Sequence, residues 1–136
     1  MITKSWPADI DSLSSITAFI EKLGQKEGLS STKIFKINLS LEEVVVNIIN
    51  YGFSDNTGEV IRIDVQVESD QIIFSVIDSG RYFDPLDAKK PDITLNTMER
   101  PIGGLGVFLV KKFASQVGYE RRGNENIFTM TIKKNG

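Results

Sequence analysis

An apolar stripe and a polar stripe run side by side through Leu39-Ser-Leu-Glu-Glu-Val-Val-Val-Asn-Ile-Ile-Asn-Tyr-Gly-Phe53. That double pattern constrains the fold more than any other stretch. Leu41, Val44, Val45, Ile48 and Ile49 recur at three- and four-residue steps, as on one face of a helix packed against a core. Ile34 and Ile37 carry the stripe upstream, which puts the helix start near Ser30 or Ser31 and its end at Gly52. Glu43, Asn47 and Asn50, at i, i+4 and i+7, make the polar stripe. A carboxylate can take a proton, and a carboxamide oxygen can ligate a hard cation that also holds phosphate oxygens. Two duller readings compete. Ser40-x-x-Glu43 fits a capping box, which would make Glu43 a helix-start device. The three valines also suit a strand, although strict alternation fails at Glu43 and Asn47.

With no cysteine in 136 residues, disulfides, thiol nucleophiles and thiolate metal sites are excluded. The absence of histidine removes a Ser-His-Asp triad, His-ligated zinc and phosphohistidine. Catalysis must then come from Asp, Glu, Lys, Ser, Thr or a bound metal ion. A net charge of −2 leaves no electrostatic footprint for nucleic acid. No apolar run approaches the ~20 residues of a membrane span, and the first residues lack the apolar core of a signal peptide. The expectation is one cytoplasmic domain over 1–136, with no membrane or direct nucleic-acid contact.

Along the chain, residues 2–8 read as a short extended arm ending at Pro7. A helix follows from about Asp11 to Glu27, with Leu13, Ile16, Ile20 and Leu23 on one face, Asp9 or Asp11 as cap and Gly28 as stop. Val60–Val67 and Ile72–Ile77 read as a hairpin. Residues 79–102, with Pro85, Pro91 and Pro101, form a connection long enough to be a functional lid. Gly103-Gly104 then open a helix whose apolar positions run towards Val117. Strands over 119–122 and 127–132, around a Gly123-Asn124 turn, end the chain. The fold class is α+β: a two-layer sandwich with helices on one face of a mainly antiparallel, mixed sheet.

Two further segments carry chemistry. Asp78-Ser-Gly80 ends a strand; it is either a common turn or a carboxylate that accepts from a base's exocyclic amine, with Gly80 allowing close approach. Gly103-Gly104-Leu105-Gly106 precedes a helix; it is either a plain loop or an anion cradle of free amides. No Walker loop or dinucleotide fingerprint fits, because no Gly-Lys-Ser/Thr follows and Leu109 takes the last glycine position.

Taken in order, Glu43-x-x-x-Asn47, Asp78-x-Gly80 and Gly104-x-Gly106 resemble the nucleotide-binding boxes of the GHKL superfamily, which has the histidine kinase-like ATPase fold. Leu41-Glu-Glu-Val-Val-Val-Asn47, Tyr51-Gly-Phe53 and Gly103-Gly-Leu-Gly-Val-Phe-Leu-Val110 are most similar to its anti-sigma-factor serine/threonine-protein kinases. The resemblance implies ATP and Mg²⁺ as cofactors, Glu43 as general base and Asn47 as magnesium ligand. It implies that Asp78 and Gly80 take adenine, that Gly103, Gly104, Leu105 and Gly106 cradle phosphates, and that Thr129 lies near the base. A sigma factor and an anti-sigma-factor antagonist are the implied partners, and a homodimer stays open. Two departures stand out: Tyr51 replaces a histidine common among relatives, and the last box lacks their glycine–threonine pair. Alternatives of other classes are a nucleotide-gated protein-binding module and an ATPase without protein kinase activity.

Overall fold

The structure, a computed structural model, describes residues 1–52, 59–82, 84 and 105–135. Its frame is a five-stranded sheet in the order β1-β2-β3-β5-β4. The strands are β1 (Ile2–Pro7), β2 (Val60–Val67), β3 (Gln71–Asp78), β4 (Gln116–Arg122) and β5 (Glu125–Lys133). Every pairing among them is antiparallel, so the mixed sheet expected from the sequence is antiparallel throughout its described part.

Strict alternation decides which face is covered. Ile61, Ile63 and Val65 on β2, Ile72, Phe74 and Val76 on β3, and Phe128, Met130 and Ile132 on β5 are all essentially inaccessible to solvent. The register sets Ile72 against Ile132, Phe74 against Met130 and Val76 against Phe128, so these side chains form one continuous apolar face. Asp78, two residues beyond Val76 on the same face, sits opposite Asn126. The apolar face therefore ends in a buried polar pair.

Helices α1 (Leu13–Lys26) and α2 (Ser31–Asn47) cover that face, and α3 (Leu105–Phe113) packs against α2. A 3-10 turn over Ile10–Ser12 leads into α1, capped by the Asp9 carboxylate, which accepts from Asp11 N at 2.9 Å. Helix α1 buries Ile16, Ile20 and Leu23, and Gly28 beyond its end adopts a left-handed φ of 74°. Ser30 caps α2 by accepting from Lys33 N at 3.1 Å. Ser40, 1% exposed, instead donates to Lys36 O at 2.8 Å inside the helix. The capping-box reading of Ser40 and Glu43 therefore fails, and the periodicity running from Ile34 wins.

Other boundaries shift for identifiable reasons. The N-terminal arm is strand β1, paired to β2 and tied to α1 by Trp6 against Phe19, ring centroids 5.5 Å apart. The helix expected to run to Gly52 changes at Ile48 into a wider π turn, Ile48–Gly52. Val117 is not helical; it lies in β4 opposite Met130 and packs against the core from there. The expected lid falls almost wholly outside the described residues, apart from its first few positions, Ser79–Tyr82 and Asp84.

Candidate functional site

Asp78 is 3% exposed and lies at the carboxyl end of a central strand. Its Oδ1 accepts two hydrogen bonds, from Gly80 N at 2.9 Å and from Asn126 Nδ2 at 3.1 Å. Both bonds that it accepts among the described residues converge on that one oxygen. Among the described residues no hydrogen bond to Oδ2 is seen. Burial pushes the Asp78 carboxyl above the ordinary carboxylate range; the bonds from Asn126 and Gly80 and the nearby Arg121 charge pull the other way without cancelling it.

Asn126 organises the rest. Its Nδ2 also donates to Arg81 O at 2.8 Å, and its Oδ1 accepts from Tyr119 Oη at 2.5 Å and Arg121 Nη1 at 3.1 Å. The same Arg121 nitrogen donates to Gly80 O at 2.7 Å, so the turn after Asp78 is held from both its amide and its carbonyl. Tyr82 stacks edge-on against Tyr119, centroids 5.6 Å apart, and extends the anchoring past the strand end. The rigid Asx-type turn thus comes from a network spanning β3, β4 and β5.

The polar stripe of α2 divides. Asn47 is buried at 5% exposure, Glu43 is half-buried, and Asn50 is exposed because the π turn carries it off the helical stripe. The buried carboxamide of Asn47 offers an oxygen of the kind that ligates a hard cation or its water. No group of three or more carboxylates gathers to hold a metal among the described residues, so a cation here needs oxygens from its ligand as well.

Leu105 and Gly106 are the first residues of α3, where amides lack intrahelical acceptors. Ala114 and Ser115, just past its end, line a cavity with Ser30 and Lys33, whereas Lys112 and Phe113 meet Leu39 and Ser40. Helix α3 therefore runs antiparallel to α2, which directs its first turn towards the Asn47 end. Gly103 and Gly104 lie outside the described residues.

Thr129 does not join Asp78. It pairs with Ser75 on the sheet face turned away from the helices. The late-strand polar residue that does reach Asp78 is Asn126, which the sequence reading passed over. The alternation of Phe128, Met130 and Ile132 was the signal that would have found it, since it places Asn126 next on the buried face.

These features fit an adenine nucleotide: a buried acceptor for an exocyclic amine, a carboxamide for a hard cation, and a helix N-terminus for phosphate. Comparison with known proteins agrees. The histidine kinase-like ATPase domain family matches residues 6–132. The serine/threonine-protein kinase BtrW of Bordetella bronchiseptica is 23% identical over 113 residues, which is 83% of this chain and 80% of BtrW. The fold is shared with the RsbU and RsbW domains of Rv1364c from Mycobacterium tuberculosis, at a TM-score of 0.66 and 16% identity, covering 96% of this chain and 31% of that one. It is also shared with the histidine kinase domain of the Erythrobacter litoralis EL346 blue-light activated histidine kinase, at a TM-score of 0.56 and 20% identity, covering 91% of this chain and 60% of that one. Domains of this kind bind ATP, typically with Mg²⁺. The chain belongs to the histidine kinase-like ATPase domain family.

Proposed function

We propose that this chain is a serine/threonine-protein kinase that uses Mg-ATP to phosphorylate a small regulatory protein. By its sequence resemblance, that protein is an anti-sigma-factor antagonist, and the kinase also binds the sigma factor, in the cytoplasm. The observation that carries the nucleotide half is Asp78, buried, with Oδ1 saturated by Gly80 and Asn126 and Oδ2 left for adenine. The protein-kinase half draws on the likeness to BtrW and on the placement of Glu43 one helical turn before Asn47.

In this reading Asn47, with the phosphate oxygens, holds magnesium, which supplies charge neutralisation on the transferring phosphoryl group. The first turn of α3 holds phosphate oxygens on its free amides. Glu43 accepts the proton of the partner's hydroxyl. Positioning and electrostatics supply most of the rate in phosphoryl transfer, so a chain without histidine or cysteine can perform it.

The test is incubation of the protein with labelled ATP and candidate regulators encoded beside its gene. Phosphoserine or phosphothreonine on one of them, in the wild-type reaction, is expected. ATP binding without transfer would leave a nucleotide-gated binding module. Phosphate release without a partner would leave an ATPase.

A further inference from the structure

At the far end of α2 from Asn47 lies a second concavity, of about 490 Å³, between the starts of α2, the end of α3 and the end of β5. Lys33, Lys36, Lys112 and Lys133 line it, and among the described residues no aspartate or glutamate does. The chain as a whole carries 18 acidic residues against 16 basic ones, so this wall inverts the overall sign. An adjoining recess of about 170 Å³ shares Lys36, Lys112 and Phe113 and adds Leu39. Phe113, Ala114 and Ile132 give the larger concavity an apolar floor.

The lysines are arranged, not merely crowded. Lys33 Nζ donates to Lys133 O at 2.8 Å and Lys134 O at 3.1 Å, bridging α2 to the end of β5. Lys36 Nζ lies 5.7 Å from the centre of the Phe113 ring, and Lys112 Nζ 4.8 Å from that of Phe108. Lys36 thus reaches over the aromatic floor from α2, while the Lys112 ammonium lies against Phe108 on its own helix, α3. Four lysines around one concavity make its potential positive, which an anionic occupant offsets.

We propose that this slot binds an acidic segment of a partner protein, with one large apolar side chain over Phe113 and carboxylates against Lys36 and Lys112. A lone phosphate would use the charges but not the apolar recess beside Leu39. A long nucleic-acid strand needs a basic track, whereas these lysines gather around one concavity. Lysines around Phe113, beside the apolar recess at Leu39, match a short acidic peptide with one apolar side chain. This inference stands apart from the nucleotide reading, since none of its residues belongs to that site.

The test is an amide NMR titration of the 136-residue chain with four probes. These are the peptide acetyl-Glu-Asp-Leu-Glu-Asp-amide, its Gln-Asn-Leu-Gln-Asn counterpart, inorganic phosphate and an oligothymidylate. The acidic peptide should shift the amides of Lys36 and of Lys112–Ser115, more weakly as salt rises. The double variant K36E/K112E should bind it about tenfold more weakly or worse, as two attractive pairs become repulsive. Because Lys36 and Lys112 are exposed, that variant should stay folded, its melting temperature lowered by a few degrees at most through the lost ring contacts and the reversed charge in the last turn of α3. K36Q/K112Q should fall between it and wild type. The proposal is overturned if the neutral peptide or phosphate reproduces the shifts, if the oligonucleotide binds more tightly, if K36E/K112E binds as wild type does, or if no probe shifts these amides.

Discussion

Asp78 accepts from Gly80 and Asn126 on one oxygen and, in the proposed function, takes adenine on the other, and substitution can pull the two apart. In Asp78→Asn the remaining oxygen can keep both bonds from Gly80 and Asn126, so the fold should survive. The new amide then faces the adenine amine donor to donor, and ATP should bind more weakly by about 1–3 kcal/mol in calorimetry. The acidity of Asp78 adds a sign. Its folded pKa is raised by burial, so its contribution to the stability of the free domain is present below the ordinary carboxylate range. That contribution is lost as pH rises through the raised value. Free Asp78→Asn should therefore melt no lower than wild type at neutral pH and lose any advantage in acid. Binding runs the other way, because the amine needs an ionised acceptor. Wild-type ATP affinity should fall as pH drops through the raised value, while the variant's stays flat over that window. Glu43→Gln addresses a different step. Transfer to a partner hydroxyl should fall ~10²–10⁴-fold with nucleotide affinity little changed, the mark of a lost base rather than a lost ligand. Normal transfer by this variant would remove Glu43 from that role.

The interface of α1 and α2 turns on one glycine. A Cβ on Gly24 would meet Ile34 Cγ1 at 2.5 Å and Cδ1 at 2.8 Å. Ile34 is β-branched and stiff in a helix, so it cannot simply swing aside. Gly24→Ala should lose more from this overlap than the ~1 kcal/mol it gains in helix propensity, for a net destabilisation of about 1 kcal/mol. Ile34→Ala removes both clashing carbons and leaves Ile34 Cβ 3.7 Å away. A double-mutant cycle by denaturant melts should then show Gly24→Ala as neutral or stabilising on the Ile34→Ala background. Much at this scale was legible in the sequence, because burial imposes a period. Helix α2 shows 3.6-residue spacing over Ile34–Ile48, and β2 and β3 alternate cleanly. What escaped has a physical reason in each case. Strand β1 buries almost nothing, so its sequence carries little alternation, and pairing with β2 makes it a strand. Val117 continues the apolar run of α3 but points into the core from β4, and hydrophobicity alone does not separate the two. Asn126 matters through two partners distant in sequence, Asp78 and Arg81, and through Tyr119 across the β4–β5 hairpin, whose meeting only the sheet register fixes. Thr129 looked suitable by type and stands on the other face.

At the scale of the whole domain, α2, like α3 and β5, is common to both candidate sites and runs from one to the other. The lysine-lined slot meets its first turns, and Asn47 is its last residue. Lys36 and Asn47 are about 16 Å apart along the helix axis at 1.5 Å per residue. That is roughly twice the Debye length of ~8 Å at physiological ionic strength, so charge at one end reaches the other only weakly. Any communication between an acidic segment and a nucleotide must then be mechanical, through a shift of a helix wedged between α1 and α3 over the sheet. Thermodynamic linkage makes such an effect reciprocal. Whatever factor ATP applies to the affinity of the acidic peptide, the peptide must apply to that of ATP. Calorimetric titration of each ligand, with and without the other, should give two equal ratios. Added salt should weaken the peptide alone yet leave the ratio unchanged. A helix spanning both candidate sites is an element that would let a protein partner report on nucleotide state without touching the nucleotide.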